Sequence, residues 1–237
     1  MAQSLQFLFQ KIAHARNEQE LRLHFMDAVG EYFGVQRWGI SLLNQQSHLA
    51  SVDICGMPDA DSFVECYSNI GREVDPVLKY VVERHAPAHE ELVLPAGGWK
   101  QSDLYLRCCR YYNHEHIMTG PIVGGGSLVG TVNFARIGDT PAFSHQDLVD
   151  LSALCLHISA CLARVRTNSE RFVLLDTRLT KRERQIAELV SQGLTNAEIS
   201  AELWITKNSV KQALKRMFRK LDVVNRAQMV AHLQNYF

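Results

Sequence analysis

Leu21, Phe25, Val29 and Phe33 recur every four residues, which places them on one face of a helix. Asn17 stands where a cap is needed and Gly34 where a helix can end. The pattern predicts a helix over 18–33, preceded by one over 3–14. The period then shortens. VQRWGISLLN is dense in apolar and aromatic residues and predicts a strand, with SHLASVDIC as a second. Helices are predicted over 61–70 and 75–85, the latter opening at Asp75-Pro76, where proline suits a first turn. PAGGWKQ reads as a loop, and SDLYLRCCRYYNHEH as a helix capped by Ser102. IMTGPIVGGG and SLVGTVNFARI form the clearest strand pair, joined through a glycine-rich turn. A helix from about 144 to 166 follows. The order αα-ββ-αα-α-ββ-α predicts an α+β N-terminal domain over 1–166, an antiparallel sheet sandwiched by helices.

After a linker over 167–178, four short helical blocks predict an all-α domain over 179–237. Ile186, Leu189 and Val190 mark the first block, Ile199 and Leu203 the second. Val210, Leu214, Met217, Phe218 and Leu221 mark the third, and Met229, Val230 and Leu233 the fourth. Gly193 ends the first helix, Thr195 caps the second, and Thr206 caps the third after a tight apolar turn at Trp204-Ile205. Two helices joined by so short a turn predict a helix-turn-helix, whose second helix enters the major groove of DNA.

Charge agrees with a groove. From Leu179 to Phe237 there are five Lys and five Arg against four Glu and one Asp, a net of +5, whereas the whole chain balances at 25 against 25. Residues 1–178 therefore carry −5. A phosphate backbone attracts the first segment and repels the second. Lys207, Lys211, Lys215, Arg216, Arg219 and Lys220 cluster on the third helix, and Lys211 and Lys215 share the face opposite its apolar stripe. An ordinary solvated helix surface is the bland alternative; the caps, turn and four-helix layout favour double-stranded DNA.

Leu179, Thr180, Arg182, Glu183, Gly193, Asn196, Glu198, Ile199, Leu203, Thr206, Val210, Lys211, Lys220, Leu221, Val223, Asn225 and Arg226 give this segment a close resemblance to the LuxR-type helix-turn-helix of bacterial transcription regulators. The resemblance implies that Lys211, Gln212 and Lys215 face base edges or nearby phosphates, and that Thr195 and Asn196 hold the DNA backbone. Lys207, Asn208 and Arg219 complete the predicted DNA-binding set. Glu183 and Gly193 match positions of structural character. Ala187 stands in place of a usual Leu, and Ala213 in place of a common His on the recognition helix, where it would alter sequence preference.

The front domain bears a looser resemblance to the autoinducer-binding domain of quorum-sensing LuxR-type regulators. It rests on Asp75-Pro76-Val77, the aromatic-bearing helix before them, Pro121-Ile122, and the FSHQDLVDL helix start. It implies that Asp75 accepts a hydrogen bond from a small signal molecule. The sequence departs from that pattern at Tyr67, one residue off the usual spacing, at Phe63 in place of a Trp, and at Ile117 in place of a Gly. The candidate lining of a ligand cavity is Trp38, Phe63, Tyr67, Asp75, Trp99 and Tyr105, with Val77 and Tyr80. The alternative is that the aromatics fill the core and Asp75 only caps its helix.

Leu148, Leu151, Cys155, Ile158, Leu162 and Val165 form one apolar stripe on the long helix, and Leu154 and Cys161 a second. One stripe can cover the sheet while the other meets an identical helix in a homodimer; alternatively both lie inside one core.

Other functions find less support. No run of eighteen apolar residues and no secretory leader occur, which predicts a cytoplasmic chain without a membrane span. His85/His89 and His114/His116 lack the partners of a metal site, and Glu90-Glu91 is read as a loop pair without partners. No metal and no cofactor are expected beyond a small-molecule effector of unknown identity. The six cysteines lack CxxC spacing and read as buried thiols. No nucleophile elbow or phosphate loop marks an enzyme. The expectation is a dimeric transcription regulator that senses a small molecule and works with RNA polymerase. The runner-up is a ligand-independent regulator whose front domain only dimerises or binds another protein, and the third reading is a redox or metal sensor.

Overall fold

Strand alternation decides how the front domain is layered. The structure, a computed structural model, describes residues 4–44 and 46–233, apart from the side chains of 168, 170–178 and 232. The chain divides into two units, Met1–Val165 and Arg166–Phe237. In the first, β1 (Arg37–Leu43), β2 (Leu49–Cys55), β3 (Ala88–His89), β4 (His114–Gly124) and β5 (Ser127–Ile137) form one sheet in the order β2-β1-β5-β4-β3. The pairings are antiparallel, with Arg37 opposite Ala135, Gly39 opposite Asn133 and Ser41 opposite Thr131.

Successive residues of a strand point to opposite faces. Trp38, Ile40, Leu42, Met118, Ile122, Val132 and Phe134 share one face and pack into the main core. That core is completed by α1 (Leu5–Ala13), α2 (Glu18–Met26), the single turn α3 (Val29–Tyr32) and α9 (His145–Arg178), through Leu8, Ile12, Leu21, Phe25, Leu151, Leu154 and Ile158. Each such burial stabilises by about 1.5–3 kcal/mol. Gly120 permits the approach of α9, since a Cβ there would meet Cys155 Sγ at 2.4 Å. On this side Arg136 is buried and donates to the carbonyls of Phe33, Pro141 and Ala142, tying α3 and the segment before α9 to β5.

The other face is covered by short elements: α4 (Ala60–Cys66), a π-helical turn at Tyr67–Gly71, α5 (Arg72–Val74), α6 (Pro76–Arg84), α7 (Glu90–Val93), a 3-10 turn at Trp99–Gln101, α8 (Asp103–Arg107) and a 3-10 turn at Cys109–Tyr112.

Four boundaries differ from the sequence expectation. The helix expected over 18–33 breaks between α2 and α3, because the Trp38 indole donates to the Met26 carbonyl and takes an acceptor the helix would have used. The helix expected over 61–70 passes into the π turn and α5. The one expected over 102–116 stops at Arg107, and His114 to His116 belong to β4 after Asn113 takes a left-handed φ of 54°. The long helix runs on through 167–178, the stretch expected as linker, to Arg178.

Both apolar stripes of α9 are internal to one core: Leu151, Leu154, Cys155, Ile158, Cys161, Leu162 and Val165 are all buried. The expected dimer seam does not lie on either stripe; among the described side chains, Val149 and Leu156 are the large apolar residues this helix leaves exposed. A window within His145–Thr167 reaches a mean hydropathy of 1.6, long and apolar enough by composition to cross a membrane. Its buried residues pack into the main core.

The second unit holds α10 (Lys181–Ser191), α11 (Asn196–Glu202), α12 (Lys207–Leu221) and α13 (Arg226–Leu233). Its start signals are capping boxes, Thr180 with Glu183 and Thr195 with Glu198, each satisfying two amide donors that a helix end leaves open. Ile186, Val190, Ile199, Val210, Leu214, Met217, Leu221, Met229 and Leu233 form its core. The predicted α+β then all-α architecture is the one observed.

Candidate functional site

In the second unit α12 presents the chemistry. Its buried face is Val210, Ala213, Leu214, Met217 and Leu221, and its outer face carries Lys207, Asn208, Lys211, Gln212, Lys215 and Arg219, all exposed. Among the described residues, none of Lys207, Lys211, Lys215 and Arg219 has an ion-pair partner. Two neighbouring cations differ. Lys220 Nζ donates to Glu183 Oε2 at 2.7 Å, and Arg216 Nε lies 3.7 Å from Glu183 Oε1. Burial pushes the Glu183 carboxyl up, but the bonds from Lys220 and Thr180 prevail and hold it below the usual carboxylate range. Glu183 is therefore a buried fastener between α10 and α12, and Lys220 belongs to it.

Ala213 is buried. The expectation that it alters base preference is corrected: its side chain lies in the domain core, on the side away from Lys211 and Lys215. Thr195 is exposed but its hydroxyl is engaged by Glu198, and Asn196 Oδ1 accepts from Arg226 Nη1 at 3.2 Å. Arg226 also donates to the Leu194 carbonyl, so both residues brace the start of α11. The turn before α12 is less apolar in effect than expected, since Trp204 is 94% exposed with a φ of 52°.

In the first unit, the sheet face away from α9 lines a cavity of about 400 Å³. That volume falls in the range of roughly 300–1,000 Å³ typical of small-molecule sites. The floor is a polar row across three strands. Thr119 Oγ1 donates to Asn133 Oδ1 at 3.2 Å, Asn133 Nδ2 to Thr131 Oγ1 at 3.1 Å, and Thr131 and Ser41 hydroxyls meet at 2.8 Å. Leu43, Leu49, Val52, Ile54, Met57 and Leu128 supply apolar wall.

Asp75 sits in this wall, buried, at the cap of α6. Its Oδ1 accepts from the amides of Val77 and Leu78 at 2.9 Å each, and its Oδ2 from the Tyr67 hydroxyl at 2.7 Å. Burial raises the Asp75 carboxyl, opposed by those three donors. Burial and the adjoining Asp75 likewise raise the Tyr67 phenol well above its ordinary value. Asp75 thus caps its helix and faces the cavity at once.

Phe63, Tyr67 and Asp75 line the cavity as expected. Trp38 contributes to the wall, but its indole turns to the other face, lying over Gly30 with its N–H on the Met26 carbonyl. Trp99 and Tyr105 do not line it, and neither do Val77 and Tyr80. Trp99 is buried, donates to the His114 carbonyl at 3.0 Å, and packs edge-on against Tyr105 at 5.4 Å.

Several residues were not anticipated. Arg37, at the start of β1, lines the cavity and donates through Nη1 to the Tyr112 carbonyl. His114 is 4% exposed, with Phe63 edge-on at 5.4 Å, and burial followed by the nearby Arg37 charge pushes its imidazole down to about 3. Period-two alternation carried a signal for these, because Arg37, Gly39 and Ser41 alternate with Trp38, Ile40 and Leu42.

Glu90 is the other correction. It is buried, accepts from the Ile117 amide at 3.0 Å and meets His116 Nδ1 at 2.6 Å. With Glu91 these groups bring three ligand-type atoms within 4.8 Å of one another. The partners of Glu90 make it a tie between α7 and β4. The six thiols are free; Cys108, Cys109, Cys155 and Cys161 are buried, while Cys55 and Cys66 are half-buried.

Comparison with known proteins finds matches for both units. Residues 177–233 match the family described as bacterial regulatory proteins, luxR family, and residues 18–162, more than half the chain, match the GAF domain. The Bacillus subtilis transcriptional regulatory protein LiaR is 41% identical over 71 residues, 30% of this chain and 33% of LiaR. The chain thus spans about a third of that relative's length. Spore germination protein GerE of Bacillus subtilis is 42% identical over 55 residues, 23% of this chain and 74% of GerE. A crystal structure of Escherichia coli SdiA aligns at a TM-score of 0.47 and 18% identity, over 98% of this chain and 95% of that one. The chain belongs to the luxR family of bacterial regulatory proteins, with a GAF domain ahead of its helix-turn-helix.

Proposed function

We propose that this chain is a cytoplasmic, dimeric, non-catalytic transcription regulator whose front domain binds a small molecule and whose α12 reads DNA. The observation that carries the DNA half is the row of exposed cations on α12, without ion-pair partners among the described residues and set opposite a fully apolar buried face. Lys207, Lys211, Lys215 and Arg219 are free to replace counterions along a phosphate backbone. Asn208 and Gln212 lie between them at the same surface, where base edges are reached. Thr195 and Asn196 serve this surface from the start of α11, fixing its position while their side chains stay bonded within the domain.

A cavity with an apolar wall and a few inward polar groups supports ligand sensing over the ligand-independent alternative, which calls for a filled core beside Asp75. Dimerisation gives the reading a reason for two heads, since linking two weak contacts raises affinity through effective concentration. The exposed Val149 and Leu156 on α9 are its candidate contact. Contact with RNA polymerase completes the proposal.

The test is fluorescence anisotropy of the full chain on duplex DNA across a salt series. Lys211→Ala and Lys215→Ala together should lower affinity and flatten the salt slope by about one per lysine removed. An unchanged slope removes these lysines from the DNA contact set.

A further inference from the structure

One end of the cavity holds two buried nitrogen atoms that nothing among the described residues satisfies. Arg37 Nε and His114 Nε2 are both buried without a hydrogen-bond partner among the described residues. The sheet brings the two together. Arg37 opens β1 opposite Ala135, Ala135 pairs with Ile117 on β4, and His114 begins that strand. The small Ala135 side chain leaves the row between Arg37 and β4 open. Phe63 and Tyr112 close around the ring of His114, and the Arg37 guanidinium reaches the Tyr112 carbonyl.

Arg37 has no carboxylate within ion-pair distance among the described residues, and its one hydrogen bond goes to a neutral carbonyl. A partly buried guanidinium without a counter-ion is an unfavourable arrangement unless something supplies the charge. The protein does not supply it from the cavity. Asp75 is the acidic residue in the wall, and its oxygens are already taken by two amides and the Tyr67 hydroxyl. Beyond the polar floor the wall is largely apolar, with Leu49 and Val52 exposed at its edge; the exposed Arg72 is a second guanidinium in the lining, on the side of Tyr67.

We propose, building on the reading that this cavity holds a ligand, that its ligand is a small monocarboxylate with an apolar body, the carboxylate seated on Arg37 beside His114. The Arg37 guanidinium, the one at this end of the cavity, matches a monoanion in charge and in fork geometry. A phosphate dianion asks for more donors than this end offers, and the amides at the start of α6 are held by Asp75. Arg37 is then the residue that distinguishes an acid from its neutral counterpart of equal length.

Titration calorimetry of the full chain near neutral pH with octanoate and with 1-octanol tests this. A hydrogen bond to a charged group contributes about 1.5–3 kcal/mol, or about 10- to 100-fold in affinity. Octanoate should therefore bind about tenfold or more tighter than 1-octanol. Arg37→Gln should bring octanoate to the level of 1-octanol while 1-octanol binding stays unchanged, which also reports an intact cavity. Arg37→Lys, which keeps the charge, should retain part of the preference. If Arg37→Gln loses both probes, the Lys variant decides: a retained preference supports the assignment, and its loss overturns it. Equal binding of the two probes to the wild type, or octanoate binding indifferent to Arg37→Gln, overturns the assignment while leaving a ligand-binding cavity standing. Failure of both probes at millimolar concentration overturns the assignment and counts against the cavity as a ligand site.

Discussion

His114 makes the front domain acid-sensitive in a calculable way. Its imidazole has an ordinary value of 6.5 and is pushed down to about 3 in the fold, by burial first and then by Arg37. The unfolded chain therefore takes up a proton that the folded chain refuses. The stability this residue contributes is present above 6.5 and is lost as pH falls from 6.5 towards about 3. At about pH 5 the unfolded imidazole is favoured by roughly 1.5 pKa units of proton binding, or about 2 kcal/mol at 1.36 kcal/mol per unit. That is a large part of the 5–15 kcal/mol typical of a domain. The assay is urea unfolding followed by tryptophan fluorescence in a Trp204→Phe background, where Trp38 and Trp99 report the front domain alone. Between about pH 7 and pH 5 the parent should lose about 2 kcal/mol more than a His114→Gln variant. Parallel losses in the two proteins would refute the reasoning, because they would mean that His114 titrates in the fold much as it does in water.

Glu183→Ala should destabilise the second unit by about 2–3 kcal/mol in thermal unfolding, since it removes a capping-box carboxylate and leaves Lys220 without its partner. Because the Glu183 carboxyl is held below its ordinary range, that stabilisation is present at neutral pH and is lost as pH falls through the acid range. Trp204→Asn should stabilise the same unit by about 1 kcal/mol, because asparagine tolerates the left-handed backbone that tryptophan adopts there at a cost. In a thiol-reactivity assay on the native protein, Cys55 should react first, ahead of Cys66, whose thiol the bond with Cys108 and burial push up to about 11. The four buried cysteines should react only on unfolding, although bonds from Cys109 and then Cys66 pull the Cys108 thiol down to about 7 against its burial. Rapid reaction of Cys108 would show that its pocket opens readily.

Legibility differed between the two units for a physical reason. In the second unit, helix starts and stops are written locally: Thr180 with Glu183, Thr195 with Glu198, and Thr206 ahead of Lys207 each fix an end within four residues. The exposed cations of α12 follow from the same periodicity. What was illegible there was Ala213, whose direction depends on where the helix is rotated against α10 and α11. In the first unit the strands of the main pair were legible, but β3 and α7 were too short to show a period. The role of Glu90 is set by β4, far along the chain. Trp99 and Trp38 misled for another reason. An aromatic residue carries no mark of which face of the sheet it serves, and their indole donors settle on carbonyls at His114 and Met26. Arg37 and His114 become neighbours only through β5, which no local pattern announces.

The polar floor of the cavity has one further consequence. Thr119, Asn133, Thr131 and Ser41 bond to one another in a row, so most of their hydrogen-bonding capacity is met from within. A site built to hydrogen-bond its occupant rejects molecules lacking that group, because the site's own donors are then stranded. This row strands little. Under the proposed reading, an occupant slides hydrocarbon over it at small penalty, and chains of different length and branching are tolerated alike. On that reading selectivity is written at the end of the cavity and not along its length, and the front domain recognises a chemical class more than a single compound.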